Sequence, residues 1–124
     1  MIGRRAARRQ ALFLLYQWDL TGQPLASLHE GEVDPFARAL AEEVREHATD
    51  LDRRITAAAR DWTADRLGVV ERNILRMAIC EIDRAEVSVE IAINEAVELA
   101  KRFGAGDAPG LVNGILGRIA REAA

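Results

Sequence analysis

Residues 70–85 read VERNILRMAICEIDRA, and this stretch predicts the fold class of the chain. Its apolar side chains recur at helical spacing over a broad arc: Val70, Ile74, Leu75, Met77, Ala78, Ile79 and Ile82. That pattern is typical of an α-helix with a wide buried side. Glu71 and Glu81 fall within the arc, and each needs a donor because an unpaired buried charge is costly. We expect Arg72, Arg76 or a neighbouring helix N-terminus to supply it.

The same periodicity extends outward in both directions, and strand signals are nearly absent. We predict further helices at roughly 4–20, 35–62 and 89–103, and a last one after residue 107. Asp34 before Pro35, Ser88 and Asp107 are expected N-caps, and Gly104 is an expected stop. Short helical turns are expected around 24–29 and within 63–68, and Thr49-Asp50 is a candidate break. The predicted fold class is therefore all-α.

Two features inside these helices need an explanation. Gly114 and Gly117 each cost the last helix about 1 kcal/mol relative to alanine, so we expect them to permit close approach of another helix or of a ligand. His47 lies on the apolar stripe of the long helix, which predicts a core or edge histidine. His29 is the only other histidine, and no carboxylate spacing around either suggests a metal site.

Length and composition restrict the class of protein. The 124 residues are 49% hydrophobic with a net charge of −3, which fits one globular domain rather than a disordered chain. Cys80 is the single cysteine, so it has no internal disulfide partner and a reducing compartment fits. The apolar run at 11–16, ALFLLY, is far shorter than the ~20 residues that span a bilayer. We therefore expect a cytoplasmic protein without a signal peptide or membrane segment.

Positive charge is concentrated at the amino end. Residues 1–18 contain Arg4, Arg5, Arg8 and Arg9 and no acid, whereas the rest contains 13 basic and 20 acidic side chains. A polyanion would bind the arginine end and be repelled elsewhere. Arginine also offers a planar fork for phosphate and a flat face for bases. The alternative is a solvated, frayed terminus.

The first predicted helix has two apolar sides. One stripe holds Ala7, Ala11, Leu14, Leu15 and Trp18, and the other holds Leu12, Phe13, Tyr16 and Leu20. Such a helix is either central in the bundle or docks a partner. Arg5, Arg9, Leu12 and Tyr16 also align on one face. For Phe13 and Tyr16 a core position is favoured over stacking on bases.

Catalytic chemistry is not indicated. Glu71 and Glu81 would lie about 15 Å apart along one helix, too far to share a substrate. The chain has no nucleophile–base pairing, phosphate loop or dinucleotide fingerprint that the sequence can support. We expect a binding protein with no cofactor and no metal.

Four blocks of the chain resemble the NusB family of transcription antitermination factors. They are RRAARRQALFLLYQWDL at 4–20, DWTADRLGVVERNILRMAICEI at 61–82, AINEAVELAKRFGAGD at 92–107 and LVNGIL at 111–116. The resemblance implies a single domain over 1–124, built of two three-helix sub-bundles packed together, roughly 1–62 and 63–124. It implies binding of single-stranded boxA RNA together with the ribosomal protein NusE. It also implies assembly with NusA, NusG and RNA polymerase, notably in ribosomal RNA operons.

The resemblance also implies site residues. RNA contacts map to Arg4, Arg5, Arg8 and Arg9, and to Asp107, Leu111 and Asn113 near the last helix. Here the chain departs from the family, which commonly has a basic residue and then Phe where this chain has Gly110 and Leu111. The family's basic side chain and stacking ring therefore have no counterpart at these two positions, and the sequence does not show whether RNA contact is weakened. The NusE face maps to Tyr16 and Glu71.

Three alternatives stay open at this point. The chain could be a helical adaptor that docks proteins without binding RNA. NusB-like domains also precede some ribosomal RNA cytosine methyltransferases, of which this chain would be at most a fragment. Finally, family members occur as monomers and as homodimers that hide the arginine-bearing face, and the sequence does not choose between them.

Overall fold

The computed structural model describes residues 2–27, 31–60 and 63–123. These residues form five α-helices: α1 (Arg4–Thr21), α2 (Pro35–Ala59), α3 (Val69–Arg84), α4 (Val89–Phe103) and α5 (Ala108–Ala123). Two short 3-10 helices, Leu25–Ser27 and Ala64–Arg66, lie in the connections. No strand occurs in the described ranges, and the all-α prediction is confirmed. The division into sub-bundles at residues 62 and 63 stays a prediction.

Two of the three predicted N-caps, Asp34 and Ser88, form where the sequence places them, and Asp107 stays a prediction. The Asp34 carboxylate accepts a hydrogen bond from the Phe36 amide at 2.9 Å, and the Ser88 hydroxyl accepts one from the Ile91 amide at 3.1 Å. Each satisfies an amide that the first helical turn leaves unpaired. These local rules explain why the starts of α2 and α4 were predicted correctly.

Gly104 ends α4 for a reason that differs from the predicted one. Its φ of −81° is open to any residue, so no left-handed conformation demands glycine here. A Cβ at Gly104 would instead lie 2.5 Å from the Ala108 Cβ and 2.7 Å from the Ala100 carbonyl oxygen. The residue is glycine because the start of α5 packs against the end of α4.

The long helix α2 is kinked at His47, where φ is −110° and ψ is 16°. The predicted break at Thr49-Asp50 therefore lies two residues too late. The side chain of His47 is exposed, so of the predicted core or edge position the core one is wrong. That assignment assumed an unbroken helix, and the kink interrupts the periodicity. His29 and residue 62, the predicted end of the long helix, lie outside the described residues.

Helix α3 is the centre of the bundle. Every residue from 73 to 81 is buried, and α3 packs against α1, α2, α4 and α5. Helix α1 is therefore not central, and its second apolar side stays partly open: Phe13 is 51% exposed, Tyr16 40% and Leu20 57%. Of the two alternatives for α1, a side that docks a partner fits the structure.

The buried Glu81 carboxylate of α3 is paired with an arginine of α1 rather than with the predicted donors. The Arg8 side chain on α1 donates to Glu81 from Nε at 3.0 Å and from Nη2 at 2.9 Å. The expectation that Arg72 or Arg76 would pair with Glu81 is wrong, because both point to Asp19 near the end of α1. Sequence spacing within α3 could not show which neighbouring helix supplies the donor.

Gly114 is not used for helix packing, contrary to expectation. A Cβ there would meet nothing within 4 Å, and at Gly117 only the end of the flexible Arg121 side chain lies within that distance.

We expect Gly114→Ala to raise the free energy of unfolding by about 1 kcal/mol, because alanine restricts the unfolded chain and favours the helix. Chemical denaturation measures this. Gly104→Ala is the matched control and should destabilise, so equal effects of the two substitutions would contradict the assignment.

Candidate nucleic-acid interface

The four arginines of α1 do not form one patch, because their spacing divides them between two sides of the helix. Arg4 and Arg8 face α2 and α3, and the Arg4 guanidinium lies 4.1 Å from the centre of the Phe36 ring. Arg5 and Arg9 face α4 and, together with the buried Arg8, line a cavity of about 240 Å³ between α1 and α4. The pairs are each four residues apart, as expected for neighbours on one face of a helix.

Arg8 is committed to the interior. Only 4% of the residue is exposed, and the pair with Glu81 occupies its guanidinium. A phosphate would have to displace a buried carboxylate to reach it. The prediction that Arg8 contacts RNA is therefore corrected to a structural role in holding α1 against α3.

The cavity between α1 and α4 is lined mainly by basic side chains, with Glu95 and Glu98 as its two acids. Arg5 and Arg9 line it from α1, and Lys101 and Arg102 line it from the last turn of α4. We call these four residues the basic groove. The Arg5 Nε donates to both carboxylate oxygens of Glu95, at 3.1 and 3.2 Å, while 70% of the Arg5 side chain stays exposed. The pair fixes the position of Arg5, and no acceptor among the described residues holds the two Nη groups of its fork.

Lys101 and Arg102 were missed as site residues by sequence reasoning. Both are exposed on the last turn of α4. The sequence does not show that α4 lies beside α1, which brings this second pair of cations to Arg5 and Arg9. Two adjacent basic residues at the end of a helix were the available signal.

Aromatic side chains lie at one end of the basic groove. Phe13 on α1 meets Phe103 on α4 edge to face, with ring centres 5.3 Å apart. The Arg102 guanidinium lies 5.3 Å from the centre of the Phe103 ring. The face predicted through Arg5, Arg9, Leu12 and Tyr16 needs correction here, because Leu12 is 1% exposed, whereas Phe13, four residues after Arg9, is 51% exposed.

A second cavity, of about 460 Å³, lies where the start of α3 meets the start of α5. Glu71, Asp107 and Leu111 all line it, so a predicted partner residue and two predicted RNA residues share one depression. The Asp107 carboxylate lies 2.8 Å from the position of a Cβ at Gly110, so a larger residue there would displace it. Asn113 is exposed on α5.

Tyr16 does not line that cavity. It lies on the open side of α1 with Leu20, at a spacing of about one helical turn. Tyr16 and Leu20 are thus an exposed apolar pair beyond Phe13 on the helix. The predicted partner residues Tyr16 and Glu71 therefore lie on different helices, α1 and α3.

Reactive groups are not assembled in the part of the chain that the structure describes. Burial raises the pKa of the Cys80 thiol to about 12, so it stays protonated and unreactive at neutral pH. No three His, Cys, Asp or Glu side chains of the described residues are placed to hold a metal ion. None of the described helices is both long enough and apolar enough to cross a membrane.

Comparisons of the sequence with known families and proteins, and of the structure with solved structures, point to the same family. A family model described as the NusB family matches residues 5–121. The transcription antitermination protein NusB of Solibacter usitatus is 38% identical over 133 residues, covering 98% of this chain and 91% of the relative. The T. maritima NusB structure matches with a TM-score of 0.87 at 31% identity, over 98% of this chain and 92% of that one. A chain in the crystal structure of the antitermination factors NusB and NusE with double-stranded RNA matches with a TM-score of 0.83 at 28% identity, over 96% of both chains.

Proposed function

The chain belongs to the NusB family, and on that premise we propose that it binds single-stranded boxA RNA together with the ribosomal protein NusE. In this role it supports transcription of ribosomal RNA operons, in a larger assembly with NusA, NusG and RNA polymerase. The related solved complex contains NusE and double-stranded RNA, which supports both classes of partner. The proposal assigns no catalytic step to the chain.

The observation that carries the RNA proposal is the basic groove. Arg9 and Arg102 have no ion pair within the described residues, and Arg5 keeps most of its side chain in solvent. Guanidinium and ammonium groups bind phosphate oxygens through charge-assisted hydrogen bonds and release counterions from the nucleic acid. A strand that follows the groove meets cations from both α1 and α4.

The RNA-facing surface continues toward α5 in this proposal. Phe103 ends α4, and the loop at 104–107 leads to Asp107, Leu111 and Asn113. Asp107 would accept hydrogen bonds from base amino groups, since its charge disfavours phosphate. Asn113 can donate and accept at a base edge. Single-stranded RNA suits such a surface because its bases are free to be stacked and read.

The NusE face in this proposal consists of Tyr16 with Leu20 on α1, and Glu71 on α3. Tyr16 and Leu20 give the exposed apolar contact, and Tyr16 adds a hydroxyl. Glu71 lines the neighbouring cavity and offers a carboxylate to a basic side chain of the partner. Aromatic anchors of this kind commonly carry much of the energy of an interface.

Charge reversal in the groove tests the RNA proposal. We expect Arg5→Glu with Arg9→Glu to weaken binding of a boxA oligonucleotide by roughly 100-fold near ~0.1 M salt, because two charge-assisted contacts become repulsive. The slope of log K against log salt should fall in magnitude by about 1.4 for two lost phosphate contacts on a single strand. Fluorescence anisotropy across a salt series measures both quantities.

The matched control reverses two arginines far from the groove. Arg45 and Arg53 are exposed on α2 and pair only with acids three residues away. Arg45→Glu with Arg53→Glu changes the net charge equally and should alter RNA affinity only slightly. Unchanged RNA binding by the groove variant would favour the adaptor alternative, especially if Tyr16→Ala still abolished binding to NusE.

A further inference from the structure

We propose that Phe13 is a stacking platform for one unpaired RNA base at the end of the basic groove. The proposal deepens the RNA-binding function proposed above and rests on it. It assigns Phe13 a role distinct from that of Tyr16 and Leu20, which lie further along α1. The occupant is a nucleobase of the strand whose phosphates the groove holds.

The exposure of Phe13 is the first argument. Half of this residue, 51%, is in solvent, although α1 has a buried side where a phenylalanine could be placed. Its neighbours in sequence, Leu12 and Leu14, are 1% and 4% exposed and complete the core contact without it. Phe13 therefore presents apolar surface that the fold itself does not cover.

The aromatic partner of Phe13 is the second argument. The edge-to-face contact with Phe103 holds the two rings at 83° to each other. A ring oriented in this way loses little conformational freedom when a flat ligand stacks on its open side. Phe103 is half-buried against the core, which supports the pair from below.

The surrounding charge identifies the ligand. Arg9 lies one turn before Phe13 on the same face of α1, at a spacing that places the two Cβ atoms about 5–6 Å apart. Arg102 adjoins Phe103 on α4, and Lys101 lines the groove beside it. Cations next to an exposed ring are the usual arrangement for single-stranded nucleic acid, in which phosphates are neutralised and bases stack. A protein partner would need acidic groups to meet the same cations, whereas RNA supplies a charge and a flat apolar base in every nucleotide.

Phe13→Leu tests the platform, because leucine keeps an apolar surface and removes the ring. We expect the affinity for a boxA oligonucleotide to fall about tenfold, within the range measured for single stacked bases. Phe13→Trp should retain the wild-type affinity or increase it. An abasic scan along the oligonucleotide should find one position where base removal weakens wild-type binding about tenfold but has little effect on Phe13→Leu.

A spectroscopic readout separates stacking from other causes. 2-Aminopurine at that position should lose fluorescence on binding wild-type protein and lose much less on binding Phe13→Leu. If every abasic position weakens wild-type protein and Phe13→Leu equally, while the Arg5 and Arg9 reversal still weakens binding strongly, the platform is refuted and the RNA-binding function stands. If wild-type protein binds no RNA at all, the proposed function itself fails. If Phe13→Leu weakens only NusE binding, Phe13 belongs to the protein interface and the platform is likewise overturned.

Discussion

Replacing Arg8 with alanine is expected to lower the free energy of unfolding by about 3–5 kcal/mol, because it leaves the Glu81 carboxylate charged and buried without a partner. The side chains of Arg8 and Glu81 are 5% and 6% exposed, and the guanidinium makes two hydrogen bonds with Glu81. For a domain of this size the melting temperature should fall by roughly 10–20 °C. Thermal and urea denaturation followed by circular dichroism measure the loss.

Arg5→Ala is the matched control for Arg8→Ala, since Arg5 is on the same helix and also pairs with a glutamate. Its side chain is 70% exposed, so the pair with Glu95 is expected to contribute about 0–1 kcal/mol. Arg8→Met combined with Glu81→Leu should recover most of the stability, because an apolar pair removes both buried charges. A small effect of Arg8→Ala, equal to that of Arg5→Ala, would show that Arg8 is not a buried anchor.

Substitutions of Arg8 and Arg9 should separate an effect on stability from an effect on RNA binding. Arg8→Ala should reduce stability strongly but lower RNA affinity per folded molecule only slightly, because Arg8 is not accessible to phosphate. Substitutions of Arg9 should lower RNA affinity and change the free energy of unfolding only slightly. The sequence could not distinguish them, because Arg8 and Arg9 are adjacent and chemically identical. Only the packing of α1 against α3 shows which of them is buried.

The fold was predictable to the extent that local signals determine it. The Asp34 and Ser88 side chains, acting within their own first turns, give the starts of α2 and α4. The pairing of Arg8 with Glu81, 73 residues apart, depends on a tertiary contact that periodicity does not contain. Periodicity also did not locate the kink at His47. Gly114 illustrates the reverse case, since a glycine in a helix suggested close packing where the structure has open space.

The candidate site was predicted only in part, because it too depends on which helices lie side by side. The concentration of arginine at the amino end indicated a polyanion-binding surface, and Arg5 and Arg9 line the basic groove. Lys101 and Arg102 could be added only when α4 was seen beside α1. Phe13 was interpreted as a core residue because its spacing fits an apolar stripe, and spacing alone cannot show which of two stripes the bundle leaves open.

Replacing Asp19 with alanine is the second substitution expected to have a large effect, again about 3–5 kcal/mol of unfolding free energy. The Asp19 Oδ2 accepts hydrogen bonds from Arg72 Nη2 at 2.9 Å, Asn73 Nδ2 at 3.0 Å and Arg76 Nη1 at 2.9 Å. Arg76 also donates to Asp52 at 2.6 and 2.7 Å, so the cluster joins α1, α3 and α2. Without Asp19, Arg72 loses its carboxylate and the 5%-exposed Arg76 keeps only one.

The matched control for Asp19→Ala is Asp83→Ala. Asp83 pairs with Arg54 at 2.7 Å, but 48% of the Asp83 side chain is exposed, so its loss should cost about 0–1 kcal/mol. Urea denaturation at neutral pH compares the two variants. If they lose equal stability, the cluster around Asp19 contributes no more than a surface ion pair.

Acid titration gives Asp19 a signature that a purely steric role would not produce. Burial acts to raise the pKa of the Asp19 carboxyl, but its bonds and charges with Arg72, Arg76 and Asn73 outweigh burial and hold the pKa below its ordinary 3.8. A carboxyl whose pKa is lower in the folded than in the unfolded state stabilises the fold fully above the unfolded value, and loses that contribution as the pH falls through the folded value. The difference in unfolding free energy between wild type and Asp19→Asn should therefore be constant from about pH 7 down to about pH 5, and it should shrink below about pH 3.8. A difference that stayed constant into that acidic range would show that the charge of Asp19 does not hold the three helices together.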